Sequence, residues 1–257
     1  MGRNSRAARV GLLALLLAAS GAAAQDMPRC RTDPALLDLG VPLDATRRAA
    51  AERKTVRIVA IGSSSTQGYG ATTPVNTYPA QIMRRLGVAL SGVEIVLFNR
   101  GIGGQDTDAM ADRIERDVLA EKPDLVIFQA GTNAAMRRVP LERFRRRLDI
   151  GVGRARAGGA DVVMMDLQYA PAIDALPDEE AYVATMGKAA GDLKVGLFRR
   201  FAIMKTWVET GGMSWADFMT SDGLHLNDFG QKCTGKLLAE AIGRKLVDGA
   251  TIVPPAK

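Results

Sequence analysis

Four short segments of the chain carry residue types that could carry out acyl transfer together. Gly62-Ser63-Ser64-Ser65-Thr66 closes an apolar run, and a serine on such a turn can lift its hydroxyl above a sheet. Residues 99–104 (Asn-Arg-Gly-Ile-Gly-Gly) let backbone N–H groups approach a ligand, because glycine leaves room. Gly131-Thr132-Asn133 supplies a side-chain amide. Ser221-Asp222-Gly223-Leu224-His225 holds the only histidine. A serine hydroxyl is a weak nucleophile until an imidazole takes its proton. The imidazole in turn needs a carboxylate on its other nitrogen to fix the tautomer and stabilise the cation. Asp222 and His225 can meet that need within one turn. A developing oxyanion needs donors fixed in advance, each worth roughly 3 kcal/mol in other serine hydrolases. The Ser64 N–H, the Gly104 N–H and the Asn133 amide are the candidates.

These residues must be positioned by elements legible in the surrounding sequence. Runs at 55–62, 93–99, 124–130 and 160–166 are short, rich in β-branched residues and bounded by Gly, Pro or Asp, as strands are. Residues 194–198 form a weaker fifth. Helical spacing of apolar positions recurs at 78–90, 107–119, 141–157, 179–190, 201–209 and 228–246. Near-continuous apolar strands alternating with helices predict a parallel sheet covered on both faces. The expected fold is therefore α/β: a three-layer α/β/α sandwich on a flavodoxin-like, parallel five-stranded sheet, with its site at the carboxyl ends of the strands. Residues 25–53 are expected to pack on this domain as an extension containing a helix over 43–53.

In this order, the four segments resemble the conserved blocks of the SGNH/GDSL hydrolase superfamily. Gly62–Thr66 matches the first block, 99–104 the second, 131–134 the third and 222–225 the fourth, spanning most of the 54–250 domain. The resemblance implies Ser64 as nucleophile, His225 as base and Asp222 as its partner. It also implies Ser64, Gly104 and Asn133 as the oxyanion donors. Ser63 stands where the family commonly has aspartate, and Ala134 where it commonly has a second acid. Neither is a triad position. The implied activity is hydrolysis of short-acyl, chiefly acetyl, O-esters through an acyl-enzyme, with no cofactor or metal. The same site could pass the acyl group to a glycan hydroxyl, and a scaffold retained as a silent glycan-binding module is a further alternative.

Taken singly, each residue has a plainer explanation. Serine, asparagine and aspartate are common turn formers, and a lone histidine is more often a surface residue than a base. Four coincidences in one order weigh against that explanation. Other motifs fail on context. Gly230–Lys236 has P-loop spacing, but Leu237 replaces the required hydroxyl residue and no strand precedes it. No Gly-x-Ser-x-Gly elbow occurs. Arg143, Arg145, Arg146 and Arg147 are expected to form a solvated helix face. Asp106, Asp108 and Asp112 suit a helix start.

The 257 residues are 47% hydrophobic and 24% charged, which suits one globular domain and excludes disorder. Half of the net charge of +6 comes from Arg3, Arg6 and Arg9, so no nucleic-acid partner is expected. Residues 1–24 read as a signal peptide: those arginines, a short apolar stretch, then Ala22-Ala23-Ala24 before Gln25. Its apolar run of about ten residues is too short to span a bilayer, which takes roughly 20. A periplasmic or secreted protein with no integral anchor after cleavage is expected. Export permits a disulfide, and Cys30 with Cys233 is the available pair; two separate buried thiols are the alternative. Residues 251–257 are expected to be a loose tail.

Overall fold

The computed structural model describes residues 30–246. The expected signal segment at 1–24 and the expected tail at 251–257 lie outside the described residues, as do 25–29 and 247–250.

Five parallel strands form one sheet: β1 (Thr55–Gly62), β2 (Glu94–Gly101), β3 (Leu125–Gln129), β4 (Asp161–Met165) and β5 (Gly196–Phe198). Their order is β2-β1-β3-β4-β5, the flavodoxin-like arrangement expected from the alternation. Parallel strands need crossovers, and right-handed crossovers put a helix on one face when the chain steps left and on the other when it steps right. The chain steps once from β1 to β2, then reverses towards β3, β4 and β5. The Tyr78–Ala89 helix accordingly packs with Asp228–Leu246, while Leu141–Ala157 packs between Thr107–Ala111 and Glu179–Leu193. The reversal lies between β1 and β3, where loops diverge and leave a crevice at the carboxyl ends.

Burial follows strand position. Every residue of β3 and β5 is buried, whereas β2, at the sheet edge, is only partly covered. The guanidinium groups of Arg57 and Arg100 lie 5.0 and 5.8 Å from the Phe98 ring there. The opposite edge is closed by the extension, because Leu197 N–H donates to Leu39 O at 3.1 Å, which removes a free pairing edge. Thr46 N–H and its hydroxyl both donate to Asp161 at 2.8 Å, fixing the extension under β4.

Two helices depart from expectation. The helix over 43–53 begins as Asp44–Arg48 and widens into a π-type turn over Ala49–Arg53. The helix over 107–119 is broken into Thr107–Ala111 and Ile114–Asp117. The break sends Arg113 inward, where it is 4% exposed. Its guanidinium donates to Gly62 O at 3.2 Å and Gln105 Oε1 at 2.7 Å, and pairs with Asp117 at 3.0 Å. The arginine-rich face is solvated in part: Arg143 and Arg146 are exposed, whereas Arg145 and Arg147 are half-buried. Arg143 and Arg147 both pair with Asp108, at 2.6 and 2.8 Å, and Arg145 reaches Asp149 and Asp192.

Cys30 and Cys233 are joined by a disulfide across a sequence separation of 203. It ties the extension to the buried face of the Asp228–Leu246 helix. Closing so long a loop limits the unfolded chain by about 5 kcal/mol on the chain-entropy account. The Cys30→Ser/Cys233→Ser double variant should therefore unfold at a midpoint lower by on the order of 10 °C in a thermal scan. An unchanged midpoint would show that the cross-link adds nothing to stability.

Candidate active site

The carboxyl edge of the sheet brings Ser64, His225 and Asp222 together from distant segments. β1 ends at Gly62 and the chain enters a one-turn helix, Ser64–Gln67. A Cβ on Gly62 would fall 2.0 Å from Thr66 Oγ1 and 2.6 Å from Gln129 Oε1, so only glycine fits that turn. Ser64 opens the helix, and its N–H therefore has no intrahelical acceptor. The Ser64 Oγ lies 2.9 Å from His225 Nε2, and His225 Nδ1 lies 2.7 Å from Asp222 Oδ2. These 161 residues of separation are closed by a single line of three side chains.

The Asp222 carboxylate is fixed by its own loop. Oδ1 accepts from Leu224 N–H and His225 N–H, both at 2.9 Å, and from the Thr220 hydroxyl at 2.6 Å. Burial opposes its ionisation, but the His225 N–H, the Thr220 hydroxyl, the imidazole and the Leu224 N–H together hold its pKa well below the usual carboxylate value. It remains an anion facing the imidazole. The Thr220 and His225 backbones pair at 2.8 Å, so base and orienter sit on one closed turn. The Tyr69 ring lies 4.4 Å from the imidazole, centroid to centroid.

The two other blocks lie at the ends of the neighbouring strands β2 and β3. Gly103 N–H donates to Gln67 Oε1 at 2.8 Å, drawing the 101–104 loop over the Ser64–Gln67 helix. The Gly104 carbonyl accepts from Arg137 at 2.6 Å, and Arg137 also pairs with Asp106 at 2.8 Å. Asn133, on the turn after β3, donates its amide to Gln105 O at 2.8 Å. Gly104 and Asn133 thus belong to one hydrogen-bonded rim.

Beneath this rim lie residues that the sequence reading passed over. Gln129 Oε1 accepts from Ser63 N–H, the Ser63 hydroxyl and the Thr66 hydroxyl at 2.9–3.1 Å. Gln168 accepts from Ser65 and Thr132 and donates to Leu224 O at 3.0 Å. Gln231 accepts from Tyr78 N–H at 2.9 Å. All three glutamines are 1% exposed or less. One buried layer therefore links the serine turn, the asparagine turn and the histidine loop. A glutamine ending the apolar runs LVIFQ and MMDLQ was the available signal. The Ser63 hydroxyl occupies the place of the aspartate usual in the first block. It is 3% exposed and directed at Gln129, while Ala134 is buried against the core.

The chain is similar in sequence and fold to known proteins. The uncharacterized lipoprotein YqeF of Bacillus subtilis is 33% identical over 116 residues, covering 42% of this chain and 46% of that protein. The arylesterase of Vibrio mimicus is 22% identical over 205 residues, covering 77% of this chain and 94% of that protein. A two-domain esterase active on acetylated mannans superposes with a TM-score of 0.69 at 18% identity, covering 86% of this chain and 58% of that one. The chain therefore spans only about half the length of two of these relatives. Residues 29–248 match the model of the non-GDSL lipase-like family, a designation that suits a first block reading Gly-Ser-Ser rather than Gly-Asp-Ser. With most of its length covered by that match, the chain belongs to the non-GDSL lipase-like family.

Proposed function

We propose that this protein is an exported serine esterase that removes short acyl groups, chiefly acetyl, from O-esters of glycans or small molecules. The observation that carries the reading is the unbroken line from Asp222 through His225 to Ser64, at 2.7 and 2.9 Å. The Ser64 Oγ attacks the ester carbonyl as its proton passes to Nε2. The Asp222 carboxylate stabilises the resulting imidazolium. The tetrahedral oxyanion is received by the Ser64 N–H, the Gly104 N–H and the Asn133 amide. Collapse breaks the bond to the alcohol oxygen, which takes the proton back from Nε2 and leaves. Water, deprotonated by the same imidazole, then adds to the acyl-serine. Acid is released and Ser64 recovers its proton.

The acetyl preference draws support from the esterase active on acetylated mannans. Aromatic residues make up only 5% of the chain, a weak basis for a long-acyl pocket. Export draws support from the Cys30–Cys233 disulfide and from the composition of residues 1–24. No helix among the described residues is long and apolar enough to cross a membrane.

A fluorophosphonate probe tests the reading directly. It should label the purified protein once, at Ser64, and block acetate release from acetylated xylan or mannan oligosaccharides. Absence of labelling would instead point to a silent glycan-binding module. Running p-nitrophenyl acetate with and without a sugar acceptor separates hydrolysis from acyl transfer to a glycan.

A further inference from the structure

We propose that the exposed ring of Tyr69 is the platform on which the alcohol half of the ester lies, and that this alcohol is a pyranose ring. The inference rests on the esterase reading above and deepens it. Tyr69 is 61% exposed, which is unusual for a large aromatic. It is nonetheless held in place. Its N–H donates to Ser64 O at 2.9 Å, and its ring lies against His225 with an interplanar angle of 53°. Gly68 and Gly70 flank it at φ +102° and +89°. A Cβ on Gly68 would fall 2.2 Å from Thr77, and one on Gly70 would fall 2.3 Å from Leu226 O. The turn is thus pressed between the segment before the Tyr78–Ala89 helix and the histidine loop. That segment is itself fixed, because Asp228 accepts from Thr72 N–H, the Thr72 hydroxyl and Asn76. A ring carried on a turn held this firmly, and resting on His225, has less freedom to lose when a ligand binds.

The direction of the reaction says which half of the substrate it meets. The imidazole must return its proton to the departing alcohol oxygen, so the alcohol leaves across His225. The carbonyl oxygen faces the rim of Gly104 and Asn133 instead. Tyr69 contacts the imidazole, and therefore stands on the alcohol side of the scissile bond. An aromatic face suits the C–H-bearing face of a pyranose, whose hydroxyl edge stays in water. Once the alcohol has gone, the acetyl-enzyme is the same for every acetate ester. Tyr69 should then act on formation of that intermediate and not on its hydrolysis.

The test compares an acetylated xylo-oligosaccharide, phenyl acetate and ethyl acetate in the full-length wild type and in Tyr69→Ala and Tyr69→Phe. The ratio of kcat/KM for the oligosaccharide to that for ethyl acetate should fall about tenfold in Tyr69→Ala and stay within about twofold in Tyr69→Phe. An unchanged ratio in Tyr69→Ala, including equal losses on both substrates, would overturn the inference and leave the ring a support for His225. A selectivity loss confined to phenyl acetate would overturn the pyranose assignment. The esterase reading is judged separately, by whether wild type hydrolyses ethyl acetate and Ser64→Ala does not.

Discussion

Replacing Ser64 with alanine should abolish ester hydrolysis while leaving the fold intact. The variant keeps the Gly104 and Asn133 rim and the Asp222–His225 pair, but it has no atom with which to form the acyl-enzyme. Loss of the nucleophile in serine hydrolases removes roughly four to six orders of magnitude from kcat, leaving what oxyanion donors and binding supply to attack by water. The structural cost is small. The hydroxyl is only partly buried and makes one hydrogen bond, to His225. A bond of that kind contributes about 1 kcal/mol. Steady-state hydrolysis of p-nitrophenyl acetate and a thermal melt, run side by side, separate the two effects. Full activity in this variant would remove Ser64 from the mechanism. Lost activity with a collapsed melt would show that the serine turn is a structural element instead.

Asp222→Asn should have the second-largest effect, a fall in kcat of roughly four orders of magnitude, because an amide can favour the wrong imidazole tautomer and cannot stabilise the cation. Wild-type Asp222 also links the site to pH. Its folded pKa lies below the unfolded value of 3.8, since the donors from His225, Thr220 and Leu224 outweigh burial. A carboxyl lowered in this way contributes stability above its unfolded pKa, and that contribution is lost as pH falls below about 4. The stability difference between wild type and Asp222→Asn should therefore shrink on acidification below pH 4. Denaturant midpoints across that range measure it. A difference that grows as pH falls below 4 would contradict the hydrogen-bonding pattern assigned to Oδ1.

The buried glutamine layer explains how such a site persists on loops. Gln129 holds the serine turn, and Gln168 ties Ser65 and Thr132 to the backbone of Leu224. Each amide side chain is enclosed and has partners, as buried polar groups must. Arg113 performs a similar task from the other side, reaching Gly62 O and Gln105. The turns that carry Ser64, Asn133 and His225 are thus held from below by buried side chains.

The amino-acid order by itself determined the features that rest on local chemistry. Strand runs such as 55–62 declare themselves because an interior strand is apolar on both faces. The β/α alternation then leaves few topologies for a parallel sheet. Asp222 and His225 were legible because their contact closes over three residues. Ser64, Gly104 and Asn133 stood out as candidates because their blocks resemble those of a known family and fall at expected strand ends. Only the tertiary structure decided the rest. Whether β2 is an edge, and so half covered, depends on the direction in which the chain reverses at β1. The helix breaks at Arg113, whose guanidinium turns inward to Gly62 O and Gln105, and the unbroken 141–157 helix sets Arg143 and Arg147 opposite Asp108. Gln129, Gln168 and Tyr69 gain their roles from neighbours tens to more than a hundred residues away. Local spacing carries no record of such contacts, because the register between strands and the packing of loops set them.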